Sequence, residues 1–254
     1  MSRGFSLVEL SIVLVILGLL TGGILAGQSL IRAAELRSVS NDYTRLVTAV
    51  GTFRDKYFAL PGDMTNATKF WGAADADPAT CRTSTNPGTC NGNGNGKIAS
   101  ISLGSDEHFR SWQHLANAGL IEGSYTGVTG TSHPNEHVLP GVNAPRSRIN
   151  NAAFGWNGSL GVVTNPADTH YFVGNYSNPL QFGTSAPASY GPAIKPEEAW
   201  NIDTKLDDGL PHQGSVRSLK NASTINPGCA AASNVEYALT ATGTLCSLTL
   251  ITGY

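Results

Sequence analysis

The hydrophobic pattern divides the chain sharply near its start. Residues 10–27 are apolar or small throughout, and Glu9 is the one ionisable side chain between Arg3 and Arg32. A stretch of this length is enough to cross a bilayer as a helix. The pattern therefore predicts a membrane-crossing helix that carries a single carboxylate near its beginning.

The pattern changes after this segment without any helix-breaking residue. Apolar side chains recur at alternating intervals of four and three, which lays one stripe along a helix whose other faces are polar: Val39, Tyr43, Leu46, Val50, Phe53 and Tyr57. The run Leu60-Pro61-Gly62-Asp63 then ends the pattern. We expect one helix over residues 5–58, on the order of 80 Å long at about 1.5 Å per residue, whose second half packs on the rest of the chain.

The remaining residues indicate a β-rich body. Charged residues make up only 13% of the 254, and 29 Gly and 13 Pro favour many turns. Short strands are predicted at 155–163, 169–176, 215–219, 235–240 and 245–251, with the last two forming a hairpin, and a helix at 105–118. The predicted fold class is α+β, a long N-terminal helix packed on an antiparallel sheet with large loops.

Net charge and cysteine spacing bound the function. A net charge of −2 supplies no positive field, so no nucleic-acid partner is predicted. The four cysteines allow three pairings. The local one, Cys81 with Cys90 and Cys229 with Cys246, closes short loops and suits an oxidising compartment. Neither pair has the C-x-x-C spacing of a zinc or redox site.

Catalysis finds little support in the motifs. Residues 133–137 match the H-x-x-E-H pattern of certain zinc peptidases, with His133 and His137 as ligands, but Pro134 and the flanking Gly and Ser residues indicate a loop instead of the required helix. Neither a G-x-S-x-G elbow nor a phosphate-binding glycine loop occurs after a predicted strand. The chain is therefore predicted not to be an enzyme, and no cofactor is certain.

Two segments carry oxygen donors suited to Ca²⁺. Asn91, Asn93 and Asn95 stand at alternate positions before Gly96, as in a calcium loop, but the closing glutamate is missing and an Asn-Gly turn is the alternative. Farther on, three carboxylates cluster within nine residues of Trp200: Asp203, Asp207 and Asp208. They suggest a structural calcium, and an acidic turn is the alternative.

The first residues resemble a known motif. Gly4-Phe5-Ser6-Leu7-Val8-Glu9-Leu10, followed by the apolar helix, resembles the N terminus of type IV prepilins and type II secretion pseudopilins. The resemblance implies cleavage by a prepilin peptidase between Gly4 and Phe5, N-methylation of Phe5 and an assembly role for Glu9. It also implies a type IV pilin-like fold, for which a disulfide near the end of the chain and, in major pseudopilins, a calcium late in the chain are typical.

A carboxylate inside an apolar span needs a physical reason. It costs roughly 2.5 to 3.5 kcal/mol on insertion scales and should therefore have a partner. The amine that cleavage would create on Phe5 lies one turn away, in the same copy or in a neighbour, so pairing with Glu9 would set the register of assembly. The alternative is a glutamate that reaches the cytoplasmic interface without any further role.

Together these features predict three regions and one function. They are a leader at 1–4, the transmembrane and amphipathic helix at 5–58, and a periplasmic or extracellular body at 59–254. The chain is expected to lie in a bacterial inner membrane before it enters a pilus or pseudopilus. Its expected partners are membrane lipid, other pilin-like subunits, the prepilin peptidase and an inner-membrane assembly platform. The alternative is an exported adhesive or ligand-binding domain behind an ordinary signal segment, with a mature start near Gly27.

Overall fold

The long first helix dominates the computed structural model of the chain. The structure describes residues 6–81, 83–98, 107–129, 138–149, 151–156, 159–160, 176–184, 191–218, 228–231 and 236–254. Helix α1 runs over Leu7–Tyr57 without a break. It ends where Phe58 adopts a left-handed conformation (φ 53°) and its N–H donates to the Arg54 carbonyl at 2.8 Å. Pro61 follows three residues later, so the chain cannot resume the helix there.

The two halves of α1 differ in what surrounds them. Residues of the first half are exposed on every face, from Leu7 to Ile31. In the second half a single stripe is buried, made of Val39, Leu46, Ala49, Val50 and Phe53. This confirms the predicted change from an all-round apolar helix to an amphipathic one. Tyr43 and Tyr57 lie at the edge of the stripe and are partly buried.

The body contains an antiparallel sheet. Strands β1 (Ala152–Trp156), β4 (Leu180–Thr184), β5 (Val216–Ser218) and β6 (Leu248–Leu250) pair in the order β1-β4-β6-β5. Strands β2 (Ser159–Leu160) and β3 (Tyr176–Ser177) form a separate two-stranded pair. Together with α1, this sheet confirms the α+β, pilin-like arrangement.

Helices from the body contact α1. The short helices α2 (Thr68–Trp71) and α3 (Pro78–Cys81) are followed by α4 (Glu107–Asn117) and α5 (Pro196–Leu206). Helices α4 and α5 both contact α1, and α4 also contacts β1.

Ring contacts join α1, α4 and β1. The Phe53 ring lies 6.3 Å from His114, and Trp112 stacks at 5.3 Å on Trp156. Helix α4 thus lies at the centre of one continuous apolar core that includes the stripe of α1.

The residues after β6 form a strap, residues 251–254, across α1. The Tyr43 hydroxyl donates to the Ile251 carbonyl at 3.0 Å, and the Tyr254 hydroxyl donates to the Val47 carbonyl at 2.9 Å. Asn178 donates to the Tyr254 carbonyl at 3.2 Å. The strap therefore ties α1 to the loop that precedes β4.

Several sequence-based predictions of local structure need correction. Residues 236–240 are not a strand: Tyr237 makes one isolated bridge to Ala230 and a turn follows. The predicted hairpin is therefore wrong, because β6 pairs with β4 and β5 instead. Strand β4 and helix α5 were not predicted at all. Helix α4, over Glu107–Asn117, confirms the helix predicted at 105–118, of which residues 105 and 106 lie outside the described residues.

Candidate functional site

The described chain begins with a capped helix start. The Ser6 hydroxyl accepts from the Val8 N–H at 3.3 Å, and Glu9 Oε2 accepts from the Ser6 N–H at 2.9 Å. This reciprocal pair is a capping box, which satisfies two of the free N–H groups at the helix start. The Glu9 carboxylate therefore bends back toward the residues that precede it. Gly4 and Phe5 lie outside the described residues.

The apolar half of α1 is exposed and has the composition of a membrane-spanning helix. Its length and composition are sufficient for α1 to cross a membrane. An added Cβ at any of the glycines in this half would meet no atom within 4 Å: Gly18, Gly22, Gly23 and Gly27. No contact within the chain thus requires these glycines, although each lowers helix stability by up to about 1 kcal/mol relative to Ala.

A charged junction, Arg32 with Glu35 and Glu198, stands where the apolar half ends. The Arg32 guanidinium donates from Nε to Glu198 Oε1 at 2.5 Å and from Nη2 to Glu198 Oε2 at 2.8 Å, in bidentate geometry. Its Nη1 donates to Glu35 at 2.9 Å. Glu198 Oε2 also accepts from the Lys195 N–H at 2.9 Å. Burial alone would raise the pKa of Glu198, but the hydrogen bonds from Arg32 and Lys195 outweigh it and lower that pKa.

Sequence reasoning missed this junction. Arg32 was noted only as a charge that ends the apolar span, and no role was predicted for Glu198. The signal for α5 was present, because Pro196 suits a first helical position and Glu197 and Glu198 suit a first turn.

Both local cysteine pairs are bonded. Disulfides join Cys81 to Cys90 and Cys229 to Cys246. The first pair forms a small apolar cluster with Ala74, and the second belongs to the main core. Each disulfide therefore staples a loop of the body and leaves no free thiol among the described residues.

The asparagine loop does not gather its amide oxygens around one point. Asn91 Oδ1 accepts from Thr68 N–H, Asn93 Oδ1 from Asn95 N–H, and Asn95 Oδ1 from Lys97 N–H. Bonds of this kind are those expected of the Asn-Gly turn, the alternative to a calcium loop.

The same loop surrounds a carboxylate. The buried Asp63 side chain accepts from the N–H groups of Gly94, Asn95 and Gly96 at 2.6, 3.0 and 2.8 Å. N–H groups that converge in this way bind an anion, and here they bind Asp63. Sequence reasoning missed this role of Asp63, whose partner lies thirty residues away and leaves no local signal.

The three aspartates of the later segment do come together. Asp203 lies within α5, and Asp207 and Asp208 follow its end, with one carboxylate oxygen of each within 4.8 Å of the others. Asp203 is fully buried. Its Oδ2 accepts from the Tyr237 hydroxyl at 2.7 Å and its Oδ1 from the Gly209 N–H at 3.1 Å.

The local backbone holds the other two carboxylates in place. Asp207 Oδ2 accepts from the Ser215 and Val216 N–H groups, and Asp208 Oδ1 accepts from the Leu210 N–H at 2.8 Å. A side chain at position 214 would collide with the Asp207 carboxylate, so only Gly214 fits there, and its φ of 63° also favours glycine. The backbone is therefore shaped around the carboxylate.

The three carboxylates of this cluster, Asp203 with Asp207 and Asp208, repel one another. Burial and the two neighbouring carboxylates raise the pKa of Asp203 to about 7, against the opposing hydrogen bonds from Tyr237 and Gly209. Burial and the Asp203 charge also raise the pKa of Tyr237. A divalent cation would relieve this repulsion, and carboxylate oxygens are the donors that Ca²⁺ prefers.

The zinc-peptidase pattern with His133 and His137 lies outside the described residues. Within the described part of the chain, three or more His, Cys, Asp or Glu side chains lie close enough to share a metal ion at the Asp203 cluster.

Fold and N-terminal segment together define the class: an α+β, pilin-like fold with one N-terminal helix that is long and apolar enough to cross a membrane. Residues 1–25 match the model of the prokaryotic N-terminal methylation motif. The chain therefore carries the motif that is the hallmark of type IV pilins and pseudopilins. Neither a curated protein nor a solved structure matches the chain.

Proposed function

We propose that this protein is a structural subunit of a type IV pilus-like or type II secretion filament. The observation that carries the proposal is the joining of the N-terminal methylation motif to a helix whose apolar half is exposed on every face. Such a surface is stable in lipid or against other helices of the same kind. This apolar surface would be covered in two states: by lipid before assembly, and by the helices of neighbouring subunits in a filament.

Cleavage between Gly4 and Phe5 would place a positive amine directly before the capped helix start. Glu9 already directs its carboxylate toward Ser6, the next residue along. In a filament the amine of one copy and the Glu9 of an adjacent copy would neutralise each other in an apolar environment. Because the desolvation of both charges consumes much of the attraction, the pair would define register more than it adds strength.

The glycines of the apolar half support close helix packing. Gly18 with Gly22, and Gly23 with Gly27, repeat at four-residue spacing on one helix, and space around each is open within the chain. Small residues at this spacing let neighbouring membrane helices approach closely. The proposed partners are accordingly other pilin-like subunits, with the prepilin peptidase, the inner-membrane platform and lipid before assembly, and the body on the periplasmic side.

Substitution of Glu9 tests this proposal. Glu9→Ala and Glu9→Gln should leave membrane insertion and cleavage intact but reduce the amount of protein in sheared, sedimented filaments by about tenfold or more, since an unpaired amine would remain buried. Glu122→Gln, at an exposed carboxylate, is the matched control and should assemble normally. Normal assembly of both Glu9 variants would contradict the assembly role of Glu9. Absence of the wild-type protein from every filament would contradict the proposal itself and favour an exported adhesive or ligand-binding domain.

Comparison of cells with and without the protein can show whether the filament is a pilus or a secretion filament. Electron microscopy of cells with and without the protein should show the loss of surface pili, or of a periplasmic secretion filament together with loss of secretion. Cells that retain all of these structures and activities would contradict a filament role.

We also propose that Asp203, Asp207 and Asp208 hold a structural Ca²⁺. The support is the close grouping of the three carboxylates, of which Asp203 is buried, and the backbone that Gly214 allows to approach Asp207. Ca²⁺ would supply charge neutralisation and would tie the end of α5 to the residues before β5. Its role would be structural, with no reaction attached.

Calcium titration tests this second proposal. Ca²⁺ should raise the thermal unfolding temperature at neutral pH, and a chelator should reverse the increase. Asp203→Asn should abolish the response. Mg²⁺ is the comparison, because it tolerates crowded carboxylate sites less well. An unfolding temperature that does not respond to Ca²⁺ would contradict the site without affecting the filament proposal.

A further inference from the structure

The end of α1 farthest from its apolar half carries an aromatic patch, formed by Tyr57, Phe58, Phe70 and Trp71. Phe58 is 92% exposed and Phe70 54% exposed. The Tyr57 ring lies 5.2 Å from Phe70 and 5.3 Å from Trp71, edge-on in both cases. Phe58 follows Tyr57 in the chain, and Phe70 contacts the partly buried rings of Tyr57 and Trp71. Two large aromatic rings are therefore exposed at this end of α1, and exposed apolar groups that lie together mark a surface that another molecule covers.

Phe58 is unfavourable for the isolated chain in two ways. Its left-handed backbone (φ 53°) is disfavoured for a bulky side chain, by roughly 1–2 kcal/mol, at a helix-end position where glycine is common. Its ring also remains almost wholly in water. Within the described part of the chain the fold therefore gains nothing from a phenylalanine at this position, and a contact with another molecule would explain it.

The rim of the aromatic patch is basic. Between residues 53 and 71 the basic side chains are Arg54, Lys56 and Lys69, and the acidic ones are Asp55 and Asp63. Asp63 is buried in its loop, so the exposed balance is positive. An occupant that covers the patch should present apolar and acidic groups.

The opposite end of the body presents apolar and acidic groups together. Helix α5 meets α1 at Arg32, which lies about 38 Å along the helix from Tyr57 at about 1.5 Å per residue. There Trp200 is 38% exposed, and Glu197 is exposed in the first turn of α5. Glu198 is paired with Arg32, and Asp203, Asp207 and Asp208 form the proposed Ca²⁺ site at the other end of α5. This α5 surface, Glu197 with Trp200, thus combines an exposed aromatic ring with an exposed carboxylate.

We infer that the aromatic patch of one copy binds the α5 surface of a second copy in a head-to-tail contact. The two surfaces differ and lie at opposite ends of the body, so the contact is heterologous and repeats without closing. This inference rests on the proposed filament function and adds a specific contact between bodies. Phe58 and Phe70 would pack against Trp200, and Lys56 or Lys69 would pair with Glu197.

Phe58→Gly gives the sharpest test because it separates assembly from folding. Glycine suits the left-handed position, so the unfolding temperature of the full chain in detergent should be unchanged or higher. The amount of protein in sedimented filaments should fall about tenfold or more, as for loss of a central aromatic contact. Phe58→Gly filaments at normal yield would overturn the inference.

Charge reversal tests the identity of the occupant. Lys69→Glu and Glu197→Lys should each reduce filament yield several-fold, and the double variant should recover most of it. A cysteine pair at Phe58 and Glu197 should give a ladder of cross-linked copies in filaments treated with a short bis-maleimide. The control pair at Thr48, on the exposed side of α1, and Glu197 should give none.

The outcomes separate this contact from the filament function itself. Wild-type filaments that lack both the charge rescue and the ladder would overturn the inference alone and leave the proposed function standing. Failure of the wild-type protein to enter any filament would overturn both.

Discussion

At the scale of single residues, Gly51 shows how closely the strap approaches α1. The Tyr254 hydroxyl reaches the Val47 carbonyl, and an added Cβ at Gly51 would lie 2.9 Å from that hydroxyl oxygen. The Arg54 guanidinium lies 4.9 Å over the Tyr254 ring. The close approach of the Tyr254 hydroxyl oxygen thus explains why position 51 is glycine.

A double-mutant cycle checks this explanation. Gly51→Ala should lower the stability of the wild-type chain or leave it unchanged, because the clash offsets the better helix propensity of alanine. In a Tyr254→Phe background the nearest remaining ring atom is 3.9 Å away, so the same change should stabilise by up to about 1 kcal/mol. Chemical denaturation of the four proteins measures the coupling, and additive effects would contradict the explanation.

His114 is a second residue whose role depends on one atom. The Gly62 N–H donates to His114 Nδ1 at 3.0 Å, so the neutral ring carries its proton on Nε2, which lies 3.2 Å from the Cys90 carbonyl. Burial, with a smaller contribution from the nearby Arg110, lowers the pKa of His114 to about 3 against the opposing bond to Cys90. Protonation of Nδ1 would break the bond to Gly62.

The pH dependence of stability follows from this lowered pKa. The unfolded chain takes up the proton near pH 6.5 and the folded chain only near pH 3, so stability should be full above 6.5 and fall as the pH drops between these values. Between pH 3 and 6.5, the slope of the free energy of unfolding against pH should be smaller in His114→Asn than in the wild type, by up to about 1.4 kcal/mol per pH unit. Comparison with the wild type cancels the other titrating groups, and equal slopes would contradict the assignment.

At the scale of elements, α5 fixes the body to α1 just beyond the apolar half. The bidentate pair between Arg32 and Glu198 is partly buried and also uses Glu35. Loss of one partner would leave a charged group with fewer bonds in a semi-enclosed site. The junction therefore determines where along the helix the body begins.

Glu198→Gln tests the junction. We expect a loss of about 1–3 kcal/mol in the free energy of unfolding, with faster amide hydrogen exchange in α5. Glu197→Gln, its exposed neighbour, should change stability by less than about 0.5 kcal/mol. Equal effects of the two changes would show that α5 is held by its apolar face alone.

The elements also show what the sequence can and cannot predict. Helix α1 was predicted almost to the residue, because its periodicity and its proline stop are local signals. The partners of β6 were not, because strand pairing is set by contacts distant in sequence. Helix α5 was missed because Asp203, Asp207 and Asp208 drew attention to turn chemistry, although Pro196 marks a helix start. The three carboxylates were nevertheless correctly singled out as a group, since they are neighbours in the chain.

At the scale of the whole molecule, the protein has two parts, the N-terminal helix and the β-rich body. The N-terminal methylation motif and the exposed apolar helix define how the protein would be stored and assembled. The β-rich body, cross-linked by two disulfides, was the least predictable part, because the contacts of Asp63 and of Arg32 join residues far apart in sequence. The exposed apolar half of α1 was predictable because it is a continuous composition signal.

The N terminus of the mature protein tests the central claim most directly. Intact mass and N-terminal sequencing of the protein isolated from membranes should show a chain that begins at an N-methylated Phe5, with residues 1–4 removed. A mature chain that begins near Gly27, or one that retains its first four residues, would contradict the account.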